Sequence, residues 1–160
     1  MDAFDRELTA LLPRLRRFAH ALARTAADAD DLAQSAVERM LRARDQWQPG
    51  TRFDAWAFRV MRNLWIDTVR ASTRLARRSA PEAEGLLVGE DPREQLEARS
   101  ELAALMRALE QLPDEQREVI ALVTIEGLGY ADAAAVLELP IGTVSSRMLR
   151  GRQALLKLLG

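Results

Sequence analysis

The chain contains 160 residues, of which 48% are hydrophobic and 29% are charged, and its formal net charge is −1. It has no cysteine and a single histidine, His20, which excludes disulfides, thiol catalysis and thiolate metal sites and argues against a multi-histidine metal centre. The acidic N-terminus and the lack of a long apolar run argue against a signal peptide and a membrane span. We therefore expect a soluble, cytoplasmic protein.

Charge is distributed unevenly along the chain. Residues 59–78 carry six arginines and one aspartate, a net charge of +5, and residues 142–160 carry four basic residues and no acid. Between them, residues 82–101 carry seven acids and two arginines, a net charge of −5. Basic segments favour a polyanionic partner, although solvated helix faces would give the same counts.

The N-terminal half has apolar residues at steps of three and four, which predicts three amphipathic helices. The first runs from Phe4 to Leu22. Acids at 28–31 favour the start of the second, and the Gln-Pro-Gly sequence at 48–50 should stop it. The third runs from about 53 to about 73. Together they should enclose a small core, in a first domain over 1–78.

The helical spacing is lost over residues 79–94, where glycine and proline occur among acids, so this segment is predicted to be a flexible linker. Helical spacing returns over 95–160, the second predicted domain. There Asp114 is the expected N-cap of a helix with Val119 and Leu122 on its buried face. No segment alternates with period two, so the predicted fold is all-α, with two small helical domains.

Residues 130–152 have the pattern of a helix-turn-helix: a short helix, a turn of about four residues and a second helix. Ile141, Val144 and Met148 are expected in the shared core. Glu138 occupies the turn position that usually holds glycine. The predicted DNA contacts of the second helix are Thr143, Ser145, Ser146, Arg147, Leu149, Arg150 and Arg152. Arginine binds guanine bidentately, serine donates or accepts, and leucine can contact a thymine methyl. A helical hairpin with an exposed basic face is the alternative.

Aromatic and basic residues are interleaved over 51–70, a combination that suits single-stranded DNA because bases stack on aromatic rings beside phosphate-binding arginines. Trp56 falls on the apolar stripe and is expected in the core. Phe58 and Asn63 fall off that stripe, so they are the better candidates for contact, and Asn63 could read the edge of an unstacked base. Helix packing alone is the alternative for this segment too.

Four motifs together resemble those of the extracytoplasmic-function (ECF) sigma factors, the smallest type in the sigma-70 family. They are Asp-Ala-Asp-Asp-Leu-Ala-Gln-Ser at 28–35, Phe-Asp-Ala-Trp-Ala-Phe-Arg-Val-Met-Arg-Asn-Leu at 53–64, Leu-Pro-Asp-Glu-Gln-Arg-Glu-Val at 112–119, and Glu-Gly-Leu-Gly-Tyr at 126–130 followed by Pro-Ile-Gly-Thr-Val at 140–144. The motifs occur in the family's order and cover nearly the whole chain.

The resemblance implies a transcription initiation factor that needs no cofactor, metal or catalytic residue. The helix beginning near 28 would bind the β′ clamp helices of core RNA polymerase through Asp31, Leu32, Gln34 and Ser35. The third helix would recognise and melt the −10 element as single-stranded DNA, through Phe58, Arg59, Arg62, Asn63, Asp67 and Arg70. The helix-turn-helix would read the −35 element as duplex. The β flap and an anti-sigma factor are further expected partners.

Three residues depart from the family pattern. Ser35 replaces a glutamate, Glu138 replaces a glycine, and Gly129 replaces a serine or threonine that would cap the helix starting at Tyr130. An ordinary dimeric helix-turn-helix regulator is one alternative, but no dimerisation segment is evident. A nuclease that holds a metal with the acids at 28–31 is the other, although these acids look better suited to a helix start.

Overall fold

The computed structural model describes residues 1–78 and 100–160, and every regular element within these two ranges is helical. The elements in chain order are α1 (Ala3–Leu22), α2 (Ala26–Arg42), a 3-10 turn (Arg44–Gln46), α3 (Phe53–Arg78), α4 (Ser100–Gln111), α5 (Asp114–Ile120), a π-helical turn (Ala121–Ile125), α6 (Tyr130–Leu137) and α7 (Ile141–Leu159). The predicted all-α class is confirmed. The predicted linker, 79–94, lies outside the described residues.

Helices α1, α2 and α3 pack around a core in which aromatic rings make many of the contacts. Phe18 of α1 is fully buried, and its ring lies 5.1 Å from that of Phe58 on α3 in an edge-to-face arrangement. At the other end of α1, Phe4 packs against Phe53 at 5.3 Å and Trp47 at 6.1 Å. Such pairs add about 0.5–1.5 kcal/mol beyond the burial of their area. This three-helix core gives α2 and α3 fixed outer faces.

The C-terminal helices enclose a second part of the core, and helix α7 approaches α5 closely at a glycine. Val119, Val144 and Met148 are almost completely buried where α5 and α7 meet. A Cβ on Gly151 would lie only 2.5 Å from Cδ1 of Ile120, so a side chain at this position would require the Ile120 side chain to move. The glycine therefore lets α7 pack closely on α5.

Four details of the sequence prediction are wrong. Helix α2 is capped by Thr25, which accepts a hydrogen bond from the Asp28 N–H at 3.1 Å, three residues before the predicted start. Helix α3 extends to Arg78 instead of ending near 73. Asp114 is the first helical residue of α5 rather than its cap. Ile141 is 53% exposed because it lies at the first position of α7, ahead of the buried stripe.

The turn between α6 and α7 contains a strained residue, as the sequence suggested. Glu138 has φ 55° and ψ 47°, the left-handed conformation that glycine adopts easily and that costs other residues about 1 kcal/mol. Its backbone ends α6, and the next amide, Leu139 N–H, donates to Ala134 O at 3.1 Å. Gly129 precedes α6 and provides no side-chain cap, also as expected.

The N-terminal helices (α1–α3) and the C-terminal helices (α4–α7) meet at an interface that we call the arginine seam. It consists of the contacts that α1, α3 and the adjacent residues Arg24 and Arg52 make with residues 114–138. Its most buried member is Glu126, directly after the π-helical turn, with 1% of its side chain exposed. Arg14 Nε lies 3.1 Å and Arg17 Nη2 2.9 Å from Glu126 Oε1. Arg14 also donates to the Glu126 carbonyl at 2.8 Å. A buried carboxylate needs such paired donors to offset the loss of its hydration.

A second buried pair of the arginine seam joins α3 to α5. Arg62 donates to both carboxylate oxygens of Glu118, at 3.2 and 3.3 Å, and to the Leu137 carbonyl at 3.2 Å. The two side chains are 17% and 9% exposed. Burial raises the pKa of Glu118 above its ordinary value of 4.5, and the hydrogen bonds from Arg62 offset this only in part. The pKa of Glu118 therefore depends on how tightly the seam is closed.

Three more exposed pairs extend the seam along its length. Arg24 lies 2.8 Å from Asp114, Arg52 lies 2.6 Å from Asp132, and Arg59 lies 3.4 Å from Glu138. A contact in the opposite sense comes from the buried Arg117 of α5, which donates to the Ala21 carbonyl near the end of α1. That carbonyl belongs to the last turn of a helix, where partial negative charge favours a cation.

Replacing Glu118 by glutamine should reduce the pH dependence of stability. Because the folded-state pKa of Glu118 lies above 4.5, the folded protein takes up a proton there more readily than the unfolded chain. This group therefore adds stability as the pH falls toward its unfolded pKa and loses that contribution as the pH rises. We expect the unfolding free energy of the wild type minus that of Glu118→Gln to be more positive at about pH 5 than at about pH 7.

Urea denaturation at the two pH values measures this difference, with the exposed Glu38→Gln as a control for the loss of one carboxylate. A wild-type-minus-variant difference that becomes less positive on acidification would contradict the raised pKa of Glu118.

Candidate nucleic-acid interface

Helix α7 carries all seven residues predicted to contact duplex DNA, and most of them are accessible. The most exposed are Ser145, Leu149, Arg150 and Arg152. Ser145, Leu149 and Arg152 are spaced by four and three residues, so they lie on one face of the helix. Thr143 and Ser146 are half-buried, and Ser146 Oγ donates to the Thr143 carbonyl at 3.2 Å. The outer face of α7 thus combines hydroxyl, apolar and guanidinium groups.

Arg147 differs from the other arginines of α7 because it is largely covered. Its side chain is 22% exposed, and its Nη2 lies 3.8 Å from a carboxylate oxygen of Glu115 on α5. Arg150 and Arg152 are exposed. Arg147 is therefore a cation held at the edge of the helix by Glu115, whereas Arg150 and Arg152 are exposed cations on its outer face.

The expectation that Phe58 is available for stacking is wrong. Phe58 is 0% exposed: its ring packs edge-to-face on Phe18, and the Arg14 guanidinium lies over it at 5.3 Å from the centroid. Helix α3 is covered by α1 and α2 on one side and by α6 on another, so its buried surface is wider than a single stripe. A position beside the stripe is therefore also in the core. The half-buried Trp56, placed on the stripe, packs 5.8 Å from Phe4.

The remaining predicted contacts on α3 divide into two sets. Arg59 and Arg62 face the arginine seam and are paired with Glu138 and Glu118, as described above. Further along the helix, Asn63 is half-buried, whereas Asp67 and Arg70 are exposed, with Asp67 3.9 Å from Arg39 of α2. Of all these residues Arg62 is the one that is largely covered, since the paired Arg59 is still 56% exposed.

The start of α3 is fixed by a charged cluster around Asp54. Burial raises the pKa of Asp54, but hydrogen bonds from Arg52 and from the Ala55 N–H outweigh it, so the pKa lies below 3.8. Arg14 also approaches Asp54, at 3.3 Å. The lowered pKa keeps Asp54 ionised near neutral pH, where it pairs with Arg14 and Arg52 at the start of α3. Sequence reasoning assigned no role to it.

The predicted polymerase contacts on α2 are accessible with one exception. Asp31, Gln34 and Ser35 are exposed, and Gln34 borders an open groove between α1 and α2 that is also lined by Val37. Leu32 is 4% exposed and packs in the core, so its assignment as a contact is wrong. The residues flanking a core leucine on an amphipathic helix point outward, which is why its neighbours remain available.

Sequence reasoning missed Glu126 and Arg117, the two charged residues that fix the packing of the C-terminal helices on α1. In the sequence Glu126 is only part of a motif, and the apolar run at 119–123, three residues earlier, is the one local signal that this segment is buried. The partners of Glu126 are more than a hundred residues away in the chain, and no local pattern identifies them.

The part of the chain that the structure describes contains neither a metal-binding cluster nor a membrane-spanning helix. Over 1–78 and 100–160, no three or more histidine, cysteine or acidic side chains are grouped so that they could share a metal ion. None of the helices in these two ranges combines the length and apolar character required to cross a membrane.

Family models match most of the chain. The model for sigma-70 region 2 matches residues 8–75, which contain α1, α2 and most of α3. The model for sigma-70 region 4 matches residues 102–155, which contain the helix-turn-helix.

Curated relatives and a solved structure agree with these matches. The chain is 39% identical to the ECF RNA polymerase sigma factor SigE of Mycolicibacterium smegmatis, over 97% of this chain, and it spans 61% of that relative's length. It is 37% identical to the ECF RNA polymerase sigma factor EcfG of Rhodopseudomonas palustris, covering 99% of this chain and 86% of the relative. The sigma factor RpoE of Bartonella quintana, solved with the anti-sigma factor NepR, superimposes with a TM-score of 0.80 at 31% identity, covering 99% of this chain and 98% of that one.

Both helical groups match sigma-70 regions in the order that the sequence motifs suggested, and relatives that resemble the chain over nearly its whole length carry the same family name. The chain belongs to the ECF sigma factors of the sigma-70 family.

Proposed function

We propose that this protein binds core RNA polymerase, reads a duplex −35 element with α7 and an unpaired −10 element with α3, and stabilises strand opening to initiate transcription. The observation that carries the proposal is the pairing of two basic helices within one chain, each in its matching sigma-70 region. Binding energy alone does the work in this mechanism, and no catalytic group is required.

The outer face of α7 supports sequence readout in the major groove. Arg150 and Arg152 are exposed guanidinium groups, and Leu149 is 58% exposed at a position that can contact a thymine methyl. Thr143, near the start of α7, lies where backbone N–H groups can bind a phosphate. Arg147, held by Glu115, is placed to contact the DNA backbone rather than a base.

The −10 surface is formed by α3, with a smaller set of residues than the sequence suggested. Arg59, Asn63, Asp67 and Arg70 are the accessible contacts, and Arg62 joins them once Glu118 is removed. Asn63 has both a donor and an acceptor for the edge of a flipped base. Phe58 acts from the core, by fixing α3 against α1, rather than by stacking on a base.

The partners follow from the exposed surfaces and the family. Asp31, Gln34 and Ser35 would bind the β′ clamp helices, and the C-terminal helices would contact the β flap. A sigma factor that resembles this chain was solved with an anti-sigma factor. By that likeness we propose an anti-sigma factor as a regulator of this chain in the cytoplasm.

The proposed domain organisation remains the one predicted from the sequence: a domain over 1–78 for polymerase and −10 binding, a linker over 79–94, and a domain over 95–160 for −35 binding. Two sites on one tethered chain raise each other's effective concentration, provided that the DNA spacer matches their separation.

In vitro transcription tests the proposal directly. Purified core RNA polymerase and a library of genomic promoter fragments should yield transcripts from defined start sites only when this chain is added. Sequencing the RNA 5′ ends identifies those sites. A chain that neither binds core polymerase nor creates new start sites would refute the proposed function.

Arg150 and Arg147 should contribute differently to −35 recognition. Arg150→Ala should remove about 1–3 kcal/mol of discrimination between matched and altered −35 sequences, since a bidentate base contact is lost. Arg147→Ala should weaken binding by a similar factor on all sequences, because a phosphate contact carries no base information. Competition binding of the holoenzyme to both DNA sets measures this. Equal losses on matched and scrambled −35 sites for Arg150→Ala would show that it is not a base contact.

Asn63→Ala should impair strand opening while leaving promoter capture intact. The variant loses the hydrogen bonds to an unpaired base, a state that exists only after melting. Permanganate reactivity of −10 thymines should fall, whereas the holoenzyme should still retard the duplex promoter in a gel. The exposed Thr68→Ala, about one turn further along α3, is the matched control. Normal reactivity in the Asn63 variant would exclude the role.

A further inference from the structure

The guanidinium of Arg147 on α7 lies near two acids of the neighbouring helix α5. These acids, Glu115 and Glu118, are three residues apart and therefore lie on the same side of α5. Arg147 Nη2 is 3.8 Å from Glu115 Oε2. Burial raises the pKa of Glu118, and the positive charges of Arg62 and Arg147 oppose that rise. Arg147 is thus attracted to α5 by both carboxylates.

Of these two acids, Glu115 is the one whose charge is available to Arg147. Glu118 already accepts hydrogen bonds from Arg62 at both of its oxygens, at 3.2 and 3.3 Å. Glu115 is 57% exposed, and an ion pair with an exposed carboxylate contributes little to stability because water screens the charge. Joining α5 to α7 is therefore a poor explanation for this pair. What the pair does is restrict the positions open to the long side chain of Arg147.

Arg147 can bind Glu115 and a DNA phosphate at the same time. A guanidinium has five N–H donors in a planar fork, and the contact with Glu115 uses one of its terminal nitrogens. Thr143 precedes Arg147 by four residues, so both lie on the same side of α7, near the start of that helix. The two side chains can therefore reach the same stretch of DNA backbone.

Glu115 has two opposing effects on the binding of a phosphate by Arg147. Its negative charge repels the phosphate, but this charge is mostly hydrated and is screened over about 8 Å at physiological ionic strength. On the other side, an arginine that is already held in place loses less conformational freedom on binding. Because Arg147 is only 22% exposed and Glu115 is largely in water, we expect positioning to outweigh repulsion.

We propose that Glu115 is a positioning residue for duplex DNA: it holds the Arg147 guanidinium at the edge of α7, where a backbone phosphate is bound. This inference rests on the proposed function of α7. Glu115 acts on the DNA only through Arg147, so its contribution disappears when that arginine is removed. The acid thereby strengthens the binding of another anion.

A double-mutant cycle on the full chain tests this role. The variants are Glu115→Gln, Arg147→Ala and the two combined, together with Glu115→Asp, which keeps the charge. The control, Glu110→Gln, removes the same charge from an exposed acid of α4. Fluorescence anisotropy of a short labelled duplex of mixed sequence, at physiological ionic strength, gives the affinity. Mixed sequence is sufficient because a phosphate contact carries no base information.

We expect Glu115→Gln to weaken duplex binding about threefold, and Glu115→Asp to retain most of the affinity. The control should bind equally well or slightly more tightly, since any loss of acid raises the general attraction of a protein for DNA. In the Arg147→Ala background, Glu115→Gln should behave like the control. A structural role of Glu115 would instead weaken binding equally in both backgrounds, so the cycle separates positioning from folding.

Three results would overturn the proposal: unchanged or tighter binding by Glu115→Gln, an equal loss with and without Arg147, or no effect of Arg147→Ala on the affinity. The duplex assay uses neither polymerase nor a promoter. Its failure therefore leaves the transcription assay unaffected, and a chain that fails to initiate transcription can still show the coupling between Glu115 and Arg147. The two proposals can be judged separately.

Discussion

The arrangement of this protein depends on a single buried carboxylate. Glu126 is almost completely buried and accepts hydrogen bonds from two arginines of α1, Arg14 and Arg17. These contacts fix the C-terminal helices on the N-terminal bundle. Removing one partner from such a cluster leaves an uncompensated buried charge, which is far more costly than the intact pair is favourable. The surface around Glu126 therefore tends to be either fully assembled or fully separated, and Arg62 with Glu118 behaves in the same way.

The state of this interface decides which surfaces reach a nucleic acid. The outer face of α7, the far end of α3 and the side chain of Arg59 remain exposed when the seam is closed, whereas Arg62 is largely covered. The duplex-reading surface and the polymerase-facing residues of α2 are thus available before the full single-strand surface is. This order suits a factor that should not bind unpaired DNA outside the transcription complex.

Much of the fold could be predicted from the sequence because helical periodicity is strong, and α6 and α7 form the helix-turn-helix that was predicted over residues 130–152. Glu138 was correctly expected to be strained. The assignments of Phe58 and Leu32 failed for one physical reason: a helix that packs on two or three neighbours buries more than its most apolar stripe. The arginine seam could not be predicted, because its partners are brought together only by tertiary packing.

The π-helical turn at Ala121–Ile125 sets the orientation of the residues that follow it. It closes with a hydrogen bond from the Glu126 N–H to the Ala121 carbonyl, five residues back, instead of the usual four. If the same residues were wound as an ordinary α-helix, everything that follows would be rotated by about 100°. The carboxylate of Glu126 would then point away from Arg14 and Arg17 although no side chain had been altered. Docking of the two halves is thus governed by the phase of a helix as well as by its chemistry.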